Sequence, residues 1–177
     1  MKNTNYQYDV LRIIGGGELQ LKHFVTRQEL RFLYYCRKID EKGPITPLWR
    51  FLRKRISNRT GLEIETKNIG PGLLLVHPFG ITVNPNCKVG KNVNLHKGVT
   101  LGAENRGERA GVPTLGDCVW VGVNSTVVGK VTIGNNVMIA PNTFVNFDVP
   151  SNSIVIGNPA KIISNIEATD EYINRKV

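Results

Sequence analysis

The sequence repeats every six residues between about residue 64 and residue 156. A period of six fits neither an α-helix nor a paired strand, whereas a parallel β-helix has one short strand per hexapeptide and three hexapeptides per coil. The repeat therefore predicts a mainly β chain wound as a parallel β-helix, with residues eighteen apart lying above one another. After Pro113, the two series that point inward are Leu115, Val121, Val127, Ile133, Ile139, Val145 and, four positions later, Val119, Ser125, Val131, Val137, Thr143, Val149.

Two series with the same period run through the earlier repeats. Leu101 and Leu115 are fourteen residues apart, which is six plus eight. We expect an eight-residue loop near residues 107–114 to leave a corner of the coil without disturbing the stack. The early series are Ile69, Leu75, Ile81, Cys87, Val93, Val99 and Val83, Val89, Leu95, Leu101.

The chain before the repeats is expected to be helical. Residues 1–26 are poorly patterned, and the glycines at 15–17 are expected to break any element there. Thr26, with Glu29 three positions later, predicts a capped helix that continues to about residue 38. A second helix is predicted over residues 47–58, ending before Gly61. It is expected to bury four residues: Leu48, Phe51, Leu52, Ile56.

These patterns divide the chain into three parts. We assign residues 1–60 to an N-terminal helical segment, residues 61–165 to the β-helix domain, and residues 166–177 to a C-terminal tail. Because an exposed sheet edge invites unwanted pairing, the tail is expected to cap the open end of the coil.

Composition narrows the class of protein. Hydrophobic residues make up 41% of the chain, enough for a core, and the 7% of aromatic residues suits stacked Val, Ile and Leu. The chain contains no apolar run of membrane-spanning length, and its first ten residues lack the apolar stretch of a signal peptide. We therefore expect a cytoplasmic protein. The three cysteines lack metal-ligand spacing, so we expect core positions for them and no metal site.

The net charge of +9 leaves several partners open. Nucleic acid is disfavoured, because no aromatic residues alternate with the basic ones along a strand face. An anionic glycan, a polyanionic small ligand, a membrane surface or a solvated basic face all remain compatible with the charge. One basic patch comprises Arg50, Arg53, Lys54, Arg55, Arg59, and the other is Arg106 with Arg109.

Residues eighteen apart bring two histidines together in the predicted coil. His77 and His96 fall on neighbouring coils, which are about 4.8 Å apart. His77 interrupts an aliphatic series, so we expect the coil to open there and the ring to face a cleft; a core histidine bonded to backbone carbonyls is the alternative. The predicted columns are His77, Leu95, Val121, Ile139 and, beside it, Pro78, His96, Gly122, Ala140.

A shallow groove is predicted to lead away from His96. Gly122 and Ala140 are small, so backbone amides are expected to be exposed along a line that ends near Lys161. Trp120 lies beside this line, where it would either flank a ligand or pack on a neighbouring subunit.

Several segments together resemble the serine acetyltransferase-like branch of the hexapeptide acyltransferases, over about residues 45–165. The segments are His77-Pro-Phe-Gly-Ile, Gly98-Val-Thr-Leu-Gly102, the basic loop, Val119-Trp-Val-Gly122, and Gly157-Asn-Pro-Ala-Lys161. The resemblance implies a left-handed parallel β-helix, an exception to the usual right-handed crossover. It also implies acetyl-CoA as the donor and a homotrimer with active sites between subunits, either alone or paired as a hexamer.

The resemblance gives roles to the candidate residues. His77 would take the proton of the acceptor hydroxyl, with His96 orienting the acceptor or the base. Amides near Gly98 or Gly102 would stabilise the tetrahedral intermediate. The pantetheine path would be lined by Trp120, Gly122 and Ala140, while Lys161 would meet a CoA phosphate. Arg106 and Arg109 would hold an anionic sugar.

The chain departs from serine acetyltransferases at two motifs and in length. Val76-His77 stands where those enzymes have Asp-His, Val112-Pro113 stands where they have a second His-Pro, and only about 60 residues replace their larger helical domain. These departures, with the fit of residues 69–109, favour an acetyltransferase of capsule or exopolysaccharide biosynthesis that acts on a sugar hydroxyl.

Three alternatives remain at this point. The first is a serine O-acetyltransferase of cysteine biosynthesis. The second is a catalytically silent trimeric scaffold or glycan-binding module. The third is a basic protein that contacts nucleic acid or a membrane surface through the helix predicted over residues 47–59.

Overall fold

The computed structural model describes residues 4–16 and 19–177, so Gly17 of the predicted break lies outside the described residues. Helices come first in this part of the chain, and short strands follow. The helices are α1 (Thr4–Ile14), α2 (Leu21–Thr26), α3 (Gln28–Asp40) and α4 (Thr46–Thr60). The strands are β1 (Leu74–Val76), β2 (Thr82–Val83), β3 (Lys88–Val89), β4 (Asn94–His96), β5 (Thr100–Gly102), β6 (Thr114–Leu115), β7 (Val119–Val121), β8 (Thr126–Val128), β9 (Thr132–Ile133), β10 (Val137–Ile139), β11 (Phe144–Val145), β12 (Ser153–Gly157) and β13 (Ala160–Ser164).

The strands form three sheets that the chain visits in turn. Sheet 1 has the order β1-β4-β7-β10-β12-β13, sheet 2 the order β2-β5-β8-β11, and sheet 3 the order β3-β6-β9. All neighbours are parallel except β12 and β13, which pair antiparallel. The parallel β-helix predicted from the six-residue repeat is therefore confirmed.

The core is the stack of inward side chains. Every residue of the two series after Pro113 is buried, with an exposed fraction of 4% or less. The two polar members are satisfied inside the coil: the Ser125 hydroxyl donates to the Ala140 carbonyl at 2.8 Å, and the Thr143 hydroxyl accepts from the Gly157 amide at 3.1 Å. Buried hydroxyls with partners of this kind cost little stability.

Two corners of the coil turn through left-handed backbone at successive levels. Glycine and asparagine adopt a positive φ at the least steric cost, which explains why they recur there. At Gly98, a Cβ atom would lie only 2.1 Å from the side-chain oxygen of Asn124. The corner after sheet 1 turns at Gly80, Gly98, Asn124 and Asn142, and the corner before sheet 1 turns at Gly72, Asn92, Cys118, Asn136 and Asn152.

The first coil is longer than the sequence repeat predicts. Leu75 lies beside Leu95, twenty residues on, whereas Thr82 lies beside Thr100, eighteen residues on. Two additional residues are therefore accommodated in the corner at residues 77–80. The single eighteen-residue register is wrong here, and the inward residue of this strand is Leu75 rather than His77.

The loop insertion is where the spacing predicts it. Lys88 pairs with Thr114, twenty-six residues on, which is one coil of eighteen plus eight. The loop closes on itself, since the backbone amides of Glu104 and Gly111 each donate to the other residue's carbonyl at 2.9 and 2.8 Å. The stack above and below continues in register.

The N-terminal helices differ from the prediction. Residues 4–14 and 21–26 are helical, and Thr26 ends α2, with its hydroxyl bonded to the Lys22 carbonyl, rather than capping α3. Helix α4 extends to Thr60 and stops at Gly61, whose φ is +69°. Leu48 and Phe51, expected in the core, are exposed, because the inner side of α4 presents other residues to α3.

The C-terminal tail does not cap the coil. It folds back along the outer surface of sheet 1, where corner asparagines hold its backbone. Asn136 accepts from the Thr169 amide and hydroxyl at 3.2 and 2.6 Å. Asn92 donates to the Val177 carbonyl at 2.9 Å and accepts from its amide at 2.8 Å. The tail therefore covers the face of sheet 1 that the sequence predicts to be open.

One buried ion pair joins the helices to the first coil. The Arg37 guanidinium contacts the Asp9 carboxylate at 3.0 Å, and both side chains are at most 2% exposed. Arg37 also donates to the carbonyls of Ile69 and Gly70, each at 2.8 Å, and Asp9 accepts from the Leu73 amide at 2.8 Å. The helices α1 and α3 are thus fixed to the strand that leads into β1.

Replacing Arg37 with leucine is expected to lower the free energy of unfolding by about 3–5 kcal/mol, because the change leaves a buried carboxylate and buried carbonyls without their donor. Urea unfolding followed by circular dichroism measures the loss. Lys38→Leu is the matched control, because its ion pair with Glu41 is exposed and is expected to contribute less than about 1 kcal/mol. Equal losses in the two variants would contradict this account.

Candidate active site

His77 occupies the enlarged corner between β1 and β2. Its φ is +50°, a conformation that costs histidine less than most side chains, and the ring is exposed. The corner is held by backbone bonds from the Phe79 amide to the His77 carbonyl at 2.7 Å and from the Gly80 amide to the Thr60 carbonyl at 2.8 Å. The ring is therefore exposed on a fixed corner, and the alternative of a core histidine bonded to backbone carbonyls is wrong.

His96 ends β4 and lies beside Val76, the residue before His77. Its ring packs against Trp120 with the centroids 4.4 Å apart, and its Nε2 atom is buried without a hydrogen-bond partner among the described residues. Burial first, and the charge of nearby His77 second, lower the pKa of His96 to about 4. His96 is therefore neutral at neutral pH and electrostatically coupled to His77.

Trp120 closes the surface above His96. Only 8% of this residue is exposed, because Tyr172 of the C-terminal tail packs edge-on against it at 5.2 Å. The Asn94 side chain fixes the tail here by donating to the Tyr172 carbonyl at 3.1 Å. The sequence predicts Trp120 beside a ligand or against another subunit. In this chain the indole instead contacts the chain's own C-terminal tail.

The indole fills the space that the groove was expected to occupy. A Cβ atom on Gly122 would lie 2.8 Å from the Trp120 ring and 2.6 Å from the Pro141 nitrogen. Both the backbone of the next coil and the indole thus leave no room for a side chain at Gly122, and Ala140 is only 7% exposed. The open groove predicted along Gly122 and Ala140 is wrong for this part of the surface.

The predicted column of His96, Gly122 and Ala140 is present in the structure. Leu95 lies beside Val121, and Val121 lies beside Ile139, so the next residues, His96, Gly122 and Ala140, follow one line. Ile156 continues this line and pairs with Lys161 on β13, whose side chain is exposed. Because the corner is enlarged, Val76 lies beside His96 in this column, where the sequence predicts Pro78.

Gly102, Arg106 and Arg109 belong to a different corner. Gly102 ends β5 in sheet 2, and the loop that follows carries both arginines. Arg109 pairs with Glu104 at 3.3 Å, and Arg106 is exposed. In one chain, sheet 2 separates these residues from the two imidazoles.

A cavity of about 660 Å³ lies between α4 and sheet 2, and sequence patterns gave no signal for it. Its lining contains both basic and acidic residues: Arg53 and Lys54 from α4, and Glu63 and Glu65 from the segment that follows this helix. Gly102 lies on its rim. Finding it requires knowing how α4 packs against α3 and the coil, which the six-residue repeat does not describe.

The chemistry available at the His77 corner is proton transfer. An exposed imidazole accepts a proton from a hydroxyl, and the neutral ring of His96 supplies a hydrogen-bonding nitrogen without adding positive charge. Over residues 4–16 and 19–177, no three His, Cys, Asp or Glu side chains cluster to hold a metal ion.

Lowering the pH should destabilise the fold through His96. Between about pH 6.5 and pH 4 the unfolded chain binds a proton at this residue that the folded chain does not, so stability falls as pH falls through that window. Urea midpoints measured across the window should show a slope that His96→Gln reduces and the control His23→Gln retains. An NMR titration that places the His96 pKa near 6.5 would refute the buried, neutral ring.

The stacked six-residue coils and the histidine corner define a hexapeptide-repeat transferase fold, and comparisons agree. The family model described as bacterial transferase hexapeptide (six repeats) matches residues 113–146. A serine acetyltransferase of Staphylococcus xylosus is 37% identical over 158 residues, which are 88% of this chain and 67% of that protein. The chain therefore belongs to the serine acetyltransferase family of hexapeptide transferases.

Other relatives are longer. Serine acetyltransferase 2 of Arabidopsis thaliana is 36% identical over 126 residues, which are 71% of this chain and 39% of that protein. The chain thus spans about two-fifths of the length of this plant relative. Among solved structures, the soybean serine acetyltransferase apoenzyme matches with a TM-score of 0.72 at 26% identity, covering 90% of this chain and 68% of that one. The Neisseria gonorrhoeae enzyme in complex with serine matches with a TM-score of 0.70 at 27% identity, covering 91% and 68%.

The comparisons overturn one prediction from the sequence. Assignment to capsule or exopolysaccharide biosynthesis, with a sugar hydroxyl as acceptor, is wrong, because the relatives found are named serine acetyltransferases. The absence of the Asp before His77 and of the second His is therefore not evidence for a sugar acceptor. In the part of the chain that the structure describes, no helix is long and apolar enough to cross a membrane.

Proposed function

We propose that the chain is a serine O-acetyltransferase that transfers an acetyl group from acetyl-CoA to the hydroxyl of serine. The observation that carries the proposal is the 37% identity, over 88% of the chain, to a protein named serine acetyltransferase. The exposed His77, in a motif that resembles the family's histidine motif, supports it. A solved relative in complex with serine supports the choice of acceptor.

His77 acts as the general base in this proposal. Its imidazole accepts the proton of the serine hydroxyl while the oxygen attacks the thioester carbonyl. The tetrahedral intermediate then collapses, the carbon–sulfur bond breaks, and the proton passes from His77 to the departing CoA sulfur. The products are O-acetylserine and CoA, so atoms and charge balance without a metal or a redox group.

His96 is a positioning residue in this proposal. Val76 precedes His77 in place of the family's aspartate, so His77 has no carboxylate next to it in sequence. The buried Nε2 atom of His96 lacks a partner among the described residues, and a buried polar atom favours acquiring one. We infer that a bound substrate, or a water held by it, supplies that partner.

The acetyl-CoA path remains a proposal. Gly102 would offer backbone amides to the thioester oxygen, and Arg106 and Arg109 would lie over the entrance. Lys161 would meet a phosphate from the exposed end of sheet 1. Trp120, Gly122 and Ala140 would shape the wall behind His96 rather than an open channel, because the indole and the tail cover them.

We also propose a homotrimer, and the separation of these groups supports a site shared between copies. His77 lies at the corner before sheet 2, and Gly102 lies at the corner after it, one coil further on. A site that uses both in one reaction therefore needs the Gly102 corner of one copy against the His77 corner of another. We infer the left-handed form of the β-helix from the solved relatives, which share the fold.

Replacing His77 with asparagine is expected to lower kcat for acetyl transfer at least about 100-fold, because the base is lost. The change should leave the fold intact, since asparagine also tolerates a positive φ. CoA release, followed with a thiol reagent, measures the rate, and circular dichroism checks the fold. Near-normal turnover in folded His77→Asn would remove this residue from the mechanism.

The acceptor is tested by offering the protein acetyl-CoA with L-serine or with a panel of oligosaccharides. We expect thiol release above the background hydrolysis of acetyl-CoA with L-serine only, and mass spectrometry should identify O-acetylserine. Homoserine, one methylene longer, is the matched control and should react more slowly. Turnover with an oligosaccharide and none with L-serine would overturn the proposed acceptor.

A further inference from the structure

Helix α4 carries a one-sided charge. Its sequence, TPLWRFLRKRISNRT, contains no acidic residue. Its five basic residues are Arg50, Arg53, Lys54, Arg55 and Arg59, and all but Arg53 are exposed. Arg53 is turned toward Glu65, at 3.7 Å, and the exposed Lys54 also lines the cavity there, so Arg50, Arg55 and Arg59 are the exposed basic residues outside that cavity.

Large apolar side chains share this exposed surface. Ile45, Leu48 and Phe51 are 55%, 49% and 59% exposed, although hydrophobic residues of this size are usually buried. The opposite side of the helix packs well, since Trp49 stacks on Tyr35 with the ring centroids 5.8 Å apart. The exposure of the three residues is therefore not a sign of a loosely packed helix.

Leu48, Phe51 and Arg55 form one patch, which the other exposed basic residues of α4 flank. Leu48 and Phe51 are three positions apart, and Arg55 is four positions after Phe51, so they are neighbours on the helix. The guanidinium of Arg55 lies 6.0 Å from the centre of the Phe51 ring. We call Ile45, Leu48 and Phe51, with Arg50, Lys54, Arg55 and Arg59, the α4 surface.

We propose that the α4 surface binds the headgroup region of a bilayer that contains anionic phospholipids. A helix with aromatic and aliphatic side chains on the surface that enters the interface, flanked by Lys and Arg, is suited to this boundary. The apolar groups enter the acyl region, while long basic side chains extend to the phosphates. The absence of acidic residues from α4 means that no charge on the helix opposes the approach.

Two other partners fit these residues less well. A nucleic acid would pair with the arginines but would leave the aliphatic side chains of Ile45 and Leu48 in water, because its outer surface is phosphate and sugar. A second copy of the same surface, related by a two-fold axis, would bring four exposed cations against four others. The lipid surface is the partner that satisfies both the charge and the apolar area.

The test is flotation of the whole protein with phosphatidylcholine vesicles, with and without phosphatidylglycerol. We expect binding only where phosphatidylglycerol is present, and weaker binding as salt is raised. The double variant Arg50→Gln/Arg55→Gln should lose about fivefold in partitioning for each charge removed, or about 25-fold together. Lys88→Gln/Lys91→Gln, which removes two exposed charges from another part of the molecule, is the matched control and should bind like the unchanged protein.

The apolar half of the surface is tested with Leu48→Ser/Phe51→Ser. Both side chains are exposed, so circular dichroism should show an unchanged fold, and flotation should fall although the charge is the same. If this variant binds like the unchanged protein, or if both charge variants lose equally, binding reflects net charge alone and the proposal is wrong.

Two further results would overturn the proposal. Association that depends on protein concentration, seen by sedimentation and lost in Leu48→Ser/Phe51→Ser, together with no vesicle binding, would make the surface an interface between copies. Binding to single-stranded RNA that survives Leu48→Ser/Phe51→Ser, together with no vesicle binding, would assign it to nucleic acid. Neither outcome depends on whether serine is the acceptor, because no measurement here uses acetyl transfer.

Discussion

Left-handed backbone at the corners is the constraint on which the rest of the molecule depends. At two of its three corners, each coil turns from one sheet to the next with a positive φ, a conformation that glycine and asparagine tolerate. The corner before sheet 1 uses an asparagine at three levels: Asn92, Asn136 and Asn152. Because these side chains lie at a corner of the β-helix, they are placed to bind another segment of the chain.

The C-terminal tail is that segment, and its position determines the environment of His96. The corner asparagines hold the tail backbone, the tail brings Tyr172 against Trp120, and Trp120 packs on the imidazole. Burial by this arrangement lowers the pKa of His96 to about 4. The asparagines that favour the backbone turn thus affect the protonation of His96, because they hold the tail whose Tyr172 packs on Trp120.

The sequence predicted the coil well and the surface poorly, for identifiable reasons. The six-residue period depends on burial along each strand, so the inward series and the loop of eight extra residues were readable from residue type alone. The two additional residues at 77–80 were not, because they lie in a corner where side chains need not alternate, and the error moved His77 from an outward to an inward position. The path of the tail depends on asparagine side-chain bonds across more than thirty residues, which no local pattern reveals.

The placement of the two histidines was predicted better than their surroundings. His77 and His96 do lie on neighbouring coils, but the space beside Gly122 is filled by Trp120 and by the backbone of the next coil and is not a groove. The helix over residues 46–60 was found within two residues at each end, whereas its exposed side was not, since Leu48 and Phe51 look like core residues to any pattern of hydrophobicity.

The hydrogen bond from the Gly80 amide to the Thr60 carbonyl ties the last residue of α4 to the corner that carries His77. The fifteen-residue helix and the imidazole corner are therefore joined by a direct backbone contact that does not run through the stacked core.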